Sequence, residues 1–305
     1  MKQIFVGSTQ RLKLHNEIGK AILSTRIVIA TVLALLLIIP ISFAKKIFVL
    51  GNGEMSPVVY IETSSSSGSA VYIGNNYFIT AAHVVDDLSV GDEVDLEFRN
   101  PNDENDNFPA KAILLASGDF AKKGKSPNED YALLCIQNMN ADDLTTAYII
   151  MDDENSIDLN NEETSKVTAI GYPNGRYSKT SGNISNKQGG AIDIVYKRLL
   201  LSRLLNVMSM SDAKNLADEY VKNFVKKEDF YVVTGAKIWH GNSGGALIHT
   251  KTNKLVGITN MEFTETNVQD KVDNDTHIDL NADDQTFVLK IGAIKKGLRA
   301  KGFQL

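Results

Sequence analysis

The sequence predicts an all-β domain of short strands carrying one helical insertion, preceded by an N-terminal hydrophobic helix. Three observations predict it. From Ser56 onward, short runs of β-branched and aromatic residues alternate with Gly, Asn, Asp and Ser clusters, the pattern of strands joined by turns. Residues 196–227 break that pattern: they lack Gly and Pro and place Leu216, Tyr220 and Phe224 at four-residue spacing. Residues 27–43 carry no charge, and their centre, Val32 to Ile39, is as apolar as a bilayer interior.

The basic segment 1–26 holds Lys2, Arg11, Lys13, Lys20 and Arg26 against the single acid Glu17, whereas only Lys45 and Lys46 follow the apolar run directly. That bias keeps the amino terminus cytoplasmic and sends residues 45–305 across the membrane. Segment 27–44 reads either as a transmembrane anchor or as a signal segment, since Ser42-Phe43-Ala44 offers the small residues that a signal peptidase reads.

Strands are expected at 57–62, 68–73, 77–81, 93–98, 111–116, 131–136, 166–171, 190–194, 231–234, 245–249, 254–259 and 286–291, with Gly74-Asn75-Asn76 as a hairpin turn. In the helical insertion 196–227, Ser211 or Asp212 is the expected cap of the second of two helices. The insertion reads as a lid over a substrate groove or as helices packed on the barrel surface. A final helix is expected with Ile291, Ile294 and Leu298 on one face.

Composition narrows the chemistry. A formal charge of −5 and a pI near 5.6 argue against a nucleic-acid binder. The single cysteine, Cys135, excludes an internal disulfide framework and any multi-cysteine metal site, and within Ala132 to Ile136 it reads as a small buried hydrophobe. The acidic stretches 102–107, 152–163 and 269–284 lack the spacing of a calcium loop and read as solvated loops. No metal and no cofactor is expected.

Hydrolysis by serine needs a nucleophile, a base to take its proton and donors for the oxyanion. Gly241-Asn242-Ser243-Gly244-Gly245 sets Ser243 among glycines, whose backbone can turn sharply and aim the Gly241 and Ser243 amides at one point. The base is sought among five histidines. His15 lies across the membrane, His240 is too near Ser243 in chain, His249 belongs to the next strand, and His277 sits in an acidic turn-rich stretch. His83, at the end of the strand Tyr77 to Ala82, remains. Asp130, at the entrance to the apolar run Tyr131 to Ile136, is the carboxylate to orient it, with Glu129 and Asp119 as alternatives.

Thr80-Ala81-Ala82-His83-Val84-Val85, Asp130-Tyr131-Ala132-Leu133-Leu134 and Gly241-Asn242-Ser243-Gly244-Gly245 resemble, in order, the three active-site motifs of chymotrypsin-fold, trypsin-like serine proteases. Gly68 to Ile73, Ile170 to Pro173 and Lys254 to Ile258 resemble strands of the bacterial high-temperature-requirement branch. The resemblance implies a chymotrypsin-like double β-barrel, with His83, Asp130 and Ser243 meeting in the cleft between barrels and cleaving peptide bonds of protein substrates. It also implies a pocket for the residue before the scissile bond, lined by Lys237, Ile238, Trp239, Thr259, Asn260 and Glu262. Three departures stand out: Asn260 where a small hydroxyl residue often supports the aspartate, the insertion 196–227, and no expected C-terminal peptide-binding module. Combined with segment 27–44, the resemblance implies an inner-membrane protein with its protease domain on the periplasmic or extracellular side, or one secreted after cleavage near Ala44.

Two other functions compete. The pentapeptide also fits the nucleophile elbow of an α/β-hydrolase esterase using Ser243, with Asp270 or Asp273 and His277 completing its order. A membrane-anchored peptide-binding sensor would keep the protease fold in an inactive or latent form.

Overall fold

The computed structural model describes residues 48–50, 53–119, 126–137, 149–152, 165–185, 207–236, 238–263 and 285–305, with isolated positions between 157 and 205. The segments 1–26 and 27–44, Lys237, Asp270, Asp273, His277 and all but Ile192 of the strand expected at 190–194 lie outside them, and Ile192 is helical rather than extended. Among the described residues no helix is long and apolar enough to cross a membrane.

A short antiparallel pair, β1 (Phe48–Leu50) and β2 (Gly53–Met55), precedes two barrels. The first uses β3 (Val58–Glu62), β4 (Ser67–Gly74), β5 (Tyr77–Thr80), β6 (Glu93–Asn100), β7 (Asp103–Ser117) and β8 (Ala132–Ile136). It closes in the order β3-β4-β5-β8-β7-β6. The second uses β9 (Lys166–Gly171), β10 (Ser178–Ile184), β11 (Phe230–Thr234), β12 (Ala246–His249), β13 (Lys254–Phe263) and β14 (Gln285–Lys290), and closes as β10-β11-β14-β13-β12-β9. Neighbouring strands are antiparallel in both. Closure leaves no free sheet edge in either barrel.

Alternation fills each barrel. Val94, Leu96 and Phe98 of β6 point inward between exposed or half-buried neighbours and meet Phe78, Leu114 and Leu134. Phe78 and Phe98 contact edge to face, 5.9 Å apart at 75°. Phe78→Ala is expected to destabilise the fold by about 3–5 kcal/mol. A lowered urea midpoint at unchanged m-value checks it. The second barrel is filled by Val167, Val233, Leu247 and Val288, and a third cluster between the barrels joins Leu133 to Tyr172, Phe230 and Ile258.

Besides the pair β1 and β2, which precedes the first expected strand, two further stretches were not anticipated as strands. Residues 103–107, expected as a solvated loop, extend β7 and pair with β6, Arg99 opposite Asn107. This hairpin is satisfied by ladder bonds, which demand no apolar alternation. β10 has no apolar residue before Ile184, yet its Ser178–Asn183 pairs with Gly171–Lys166 throughout and helps close the barrel. The Gly74-Asn75-Asn76 turn forms as expected, with φ of 94°, 51° and 65°.

Helix α1 (Met210–Phe224) lies in the insertion, and α2 (Ile291–Ala300) ends the chain with Ile291, Ile294 and Leu298 buried. Ser209, rather than Ser211 or Asp212, caps α1. Its Oγ accepts from the Asp212 amide at 3.2 Å and donates to the Asp212 carboxylate at 2.6 Å. The buried stripe of α1 is Ala213, Ala217 and Val221, whose small side chains let the helix lie close, while Leu216 and Phe224 stay exposed.

Candidate active site

His83 sits in the 3-10 turn Ala82–Val85 that follows β5. Thr80 anchors the end of that strand by donating its hydroxyl to the Ser69 carbonyl at 2.7 Å. Asp130 closes the 3-10 turn Pro127–Glu129, whose proline and Ser126 cap start it. The two turns meet. The His83 amide donates to Asp130 Oδ1 at 3.0 Å, and His83 Nδ1 lies 2.8 Å from Asp130 Oδ2. The carboxylate is almost sealed, 4% exposed, while 30% of the imidazole still faces solvent. Burial by itself lowers the imidazole's pKa. The Asp130 charge and hydrogen bond, helped by Asp86, together outweigh burial and hold His83 above its ordinary value.

Asn260 completes the support of Asp130. Its Nδ2 donates to Asp130 Oδ2 at 2.8 Å and to the Asp130 carbonyl at 3.0 Å. Its Oδ1 accepts from the Leu289 amide at 3.2 Å, which leaves the NH2 group to face the carboxylate. The position follows from a β-bulge. Thr259 pairs with Val288 and Met261 with Phe287, so Asn260 is the extra residue and is aimed out of the ladder. The carbonyl of the same residue accepts from Ser243 Oγ at 3.4 Å, so Asn260 touches both the acid and the serine.

Ser243 is held by its backbone. Its carbonyl accepts from the Ser69 amide at 2.8 Å, across from the first barrel. Ser69 Oγ donates to the Gly241 carbonyl at 2.8 Å and accepts from the Tyr172 amide at 2.9 Å. The His240 carbonyl accepts from the Asn174 amide at 2.9 Å, and a trans peptide turns the Gly241 N–H to the opposite side from that carbonyl. Among the described residues, neither the Gly241 nor the Ser243 amide donates to a protein acceptor. Both amides therefore remain available as donors.

Gly241 and Gly244 have φ of 97° and 81°, the left-handed region that other residues adopt only with strain. A Cβ on Gly244 would also strike Ser69 O, Thr80 Oγ1 and Ala81 N. Gly244→Ala is expected to push the serine loop off the first barrel, lowering kcat/KM by about 100-fold or more and lowering Tm. Peptide-cleavage kinetics and a thermal melt check both.

The expected pocket residues are placed unevenly. Trp239 is 53% exposed, and Ile238 is buried. Thr259 is buried and turned inward, its hydroxyl donating to the Asn242 carbonyl, and Asn260 is committed to Asp130 as described. Glu262 lies in β13 opposite Thr286. Ser69 was not singled out by its sequence, since a lone serine in a strand carries no signal of contact with a distant loop. Cys135 is a free thiol whose pKa burial raises, and the buried His249 sets Nδ1 2.9 Å from Thr252 Oγ1. Neither belongs to the site. The α/β-hydrolase reading fails: the strand β12, not a helix, follows the serine, and the barrels are antiparallel.

Among curated protein sequences none matches the chain. Several solved structures are similar to parts of it. One is AlgW, an HtrA-type protease solved with a tripeptide: 20% identity, TM-score 0.48, 80% of this chain and 59% of that one. Another is the active form of Rv3671c protease from M. tuberculosis, with 16% identity and a TM-score of 0.45 over 79% of this chain and 78% of that one. The apo protease domain of MamO from Magnetospirillum magneticum gives 15% identity and a TM-score of 0.44 over 79% of this chain and 95% of that one. The trypsin-like peptidase domain family matches residues 68–258, most of both barrels and well over half the chain, and the chain belongs to that family.

Proposed function

We propose that the chain is a serine endopeptidase in which Ser243 Oγ attacks a peptide carbonyl while His83 Nε2 takes its proton. The observation that carries the reading is the linked set His83–Asp130–Asn260–Ser243, with contacts of 2.8, 2.8 and 3.4 Å between successive members. Asp130 holds Nδ1–H of the imidazole, so Nε2 is left free of its proton and oriented as acceptor. As the carbonyl becomes tetrahedral, its oxygen gains charge, and the amides of Gly241 and Ser243 are the donors for it. The protonated His83 then gives its proton to the leaving amine, and water releases the acyl group from Ser243 by the same steps in reverse roles. All of this uses side chains and backbone alone.

The reaction is proposed to take place outside the cytoplasm. The support is the charge asymmetry about segment 27–44, whether that segment is retained as an anchor or removed near Ala44. Labelling of the full-length chain with a fluorophosphonate tests the chemistry. Wild type is expected to label, and Ser243→Ala and His83→Ala are expected not to. Equal labelling of all three rejects the assignment, and a wild type that does not label points to a latent, peptide-binding protein.

A further inference from the structure

The insertion 196–227 is the segment to which the proposed reaction gives no task. Its carboxyl end is fastened to the short turn that carries Asp130. The Lys226 amide donates to Asn128 Oδ1 at 2.9 Å, and Asn128 Nδ2 donates back to the Lys226 carbonyl at 2.7 Å. The buried Asn128 amide thus pairs with Lys226 as a neighbouring strand would. Nδ2 also donates to Asp229 Oδ2 at 3.0 Å, and Ser126 Oγ donates to the Phe224 carbonyl at 2.5 Å, at the last residue of α1. Asn128 lies within the Pro127–Glu129 turn, and the amide of Asp130 closes that turn by donating to the Pro127 carbonyl at 3.3 Å.

The amino end of the insertion is anchored in the body as well, Tyr196 lying 5.9 Å from Phe230 between ring centroids. Tyr196 is buried, and its phenol is held well above its ordinary pKa by burial first and by the Asp130 charge second. Val221 and Val225 join Tyr196 and Phe230 in the inter-barrel cluster. Both ends of the insertion therefore share one buried cluster, and its helix packs on the body through small residues.

We infer that the insertion is a brace that holds Asp130 in register with His83, and that Asn128 is the positioning residue through which it acts. The effect on rate rests on the proposed reaction; the effect on the His83 imidazole does not. An uncoupled turn lets the carboxylate drift from Nδ1, which removes the charge and the hydrogen bond that raise the His83 pKa.

The test is a titration of the full-length chain with 15N-labelled histidine, which carries five such residues. Wild-type His83 is expected to titrate above 6.5, and Asn128→Ala is expected to bring it down toward that value. In parallel, kcat is expected to fall about tenfold at a KM within about twofold of wild type, the signature of a displaced group rather than a lost substrate contact. A folded Asn128→Ala chain with an unchanged His83 titration overturns the inference. So does a loss carried wholly by KM. If Asn128→Ala does not fold, Asp229→Ala decides the matter: it removes one bond of the clamp, so a smaller shift in the same direction supports the brace and no shift overturns it. A wild type that neither labels nor cleaves peptides defeats the proposed reaction alone, because the titration still reads the brace.

Discussion

Ser243→Ala is expected to lower kcat/KM about a millionfold while leaving Tm within a few degrees of wild type. Both halves follow from how the serine is held. The backbone fixes its position: the Ser243 carbonyl accepts from Ser69, Gly244 N–H donates to the Thr259 carbonyl at 2.7 Å, and Gly245 N–H to the Asn242 carbonyl at 2.7 Å. None of these needs the hydroxyl. The hydroxyl itself makes one long bond to the Asn260 carbonyl, so its removal costs the fold at most about 1 kcal/mol. The nucleophile is nonetheless lost, and what survives is the catalysis that the two amides and substrate binding supply without it. Kinetics on a peptide substrate with a thermal melt of the same sample check both halves. A small rate loss would mean that another group attacks, and a large loss of Tm would mean that the hydroxyl is structural.

The residues that meet at this site differ in how far they can be read from the chain. His83, Asp130 and Ser243 are legible because each stands at the boundary between an apolar run and a turn, where a polar group is either functional or costly. The double barrel follows from the same spacing of runs and from the resemblance that the three motifs carry. Asn260 is different. The resemblance places it where a small hydroxyl residue often supports the aspartate, but that an asparagine there reaches Asp130 is set by the extra residue in the β13 ladder, which turns its side chain to the acid. A bulge depends on the register of two strands that are distant in sequence, which local pattern does not contain. Asn128 is hidden for a similar reason. Within Ser126 to Asp130 it reads as a turn former, and its partners lie about a hundred residues on. β10 went unread because a barrel strand can be held by its ladder while its side chains stay polar.

Asp130→Asn is expected to lower kcat/KM about ten-thousandfold near neutral pH, and the reason lies in the donors around the carboxylate. Oδ1 accepts from the His83 amide, while Oδ2 accepts from Asn260 Nδ2 and faces His83 Nδ1. An asparagine has one oxygen for these two places. With its oxygen toward the His83 amide, its NH2 meets Asn260 Nδ2 donor to donor and asks Nδ1 to accept, which moves the imidazole proton to Nε2 and leaves no base for Ser243. With the opposite orientation, the NH2 meets the His83 amide instead. Either arrangement leaves a buried donor opposed.

The pH dependence carries a second sign. In wild type the raised His83 pKa sets the lower limb of kcat/KM above 6.5, because the base works only when neutral. Asp130→Asn removes both the charge and the hydrogen bond that raise that pKa, so whatever activity survives is expected to have its limb at lower pH. Stability runs the other way. A folded pKa raised above its unfolded value contributes stability that is fully present below pH 6.5 and is lost as pH rises through the folded pKa. The His83–Asp130 pair therefore gives its full support to the fold where the site is inactive, and gives it up as the site gains its base. Melting temperatures of wild type and Asp130→Asn across that interval measure this directly: their difference is expected to shrink as pH rises. A difference that grows with pH would place the His83 pKa below its ordinary value and leave the imidazole governed by burial rather than by Asp130.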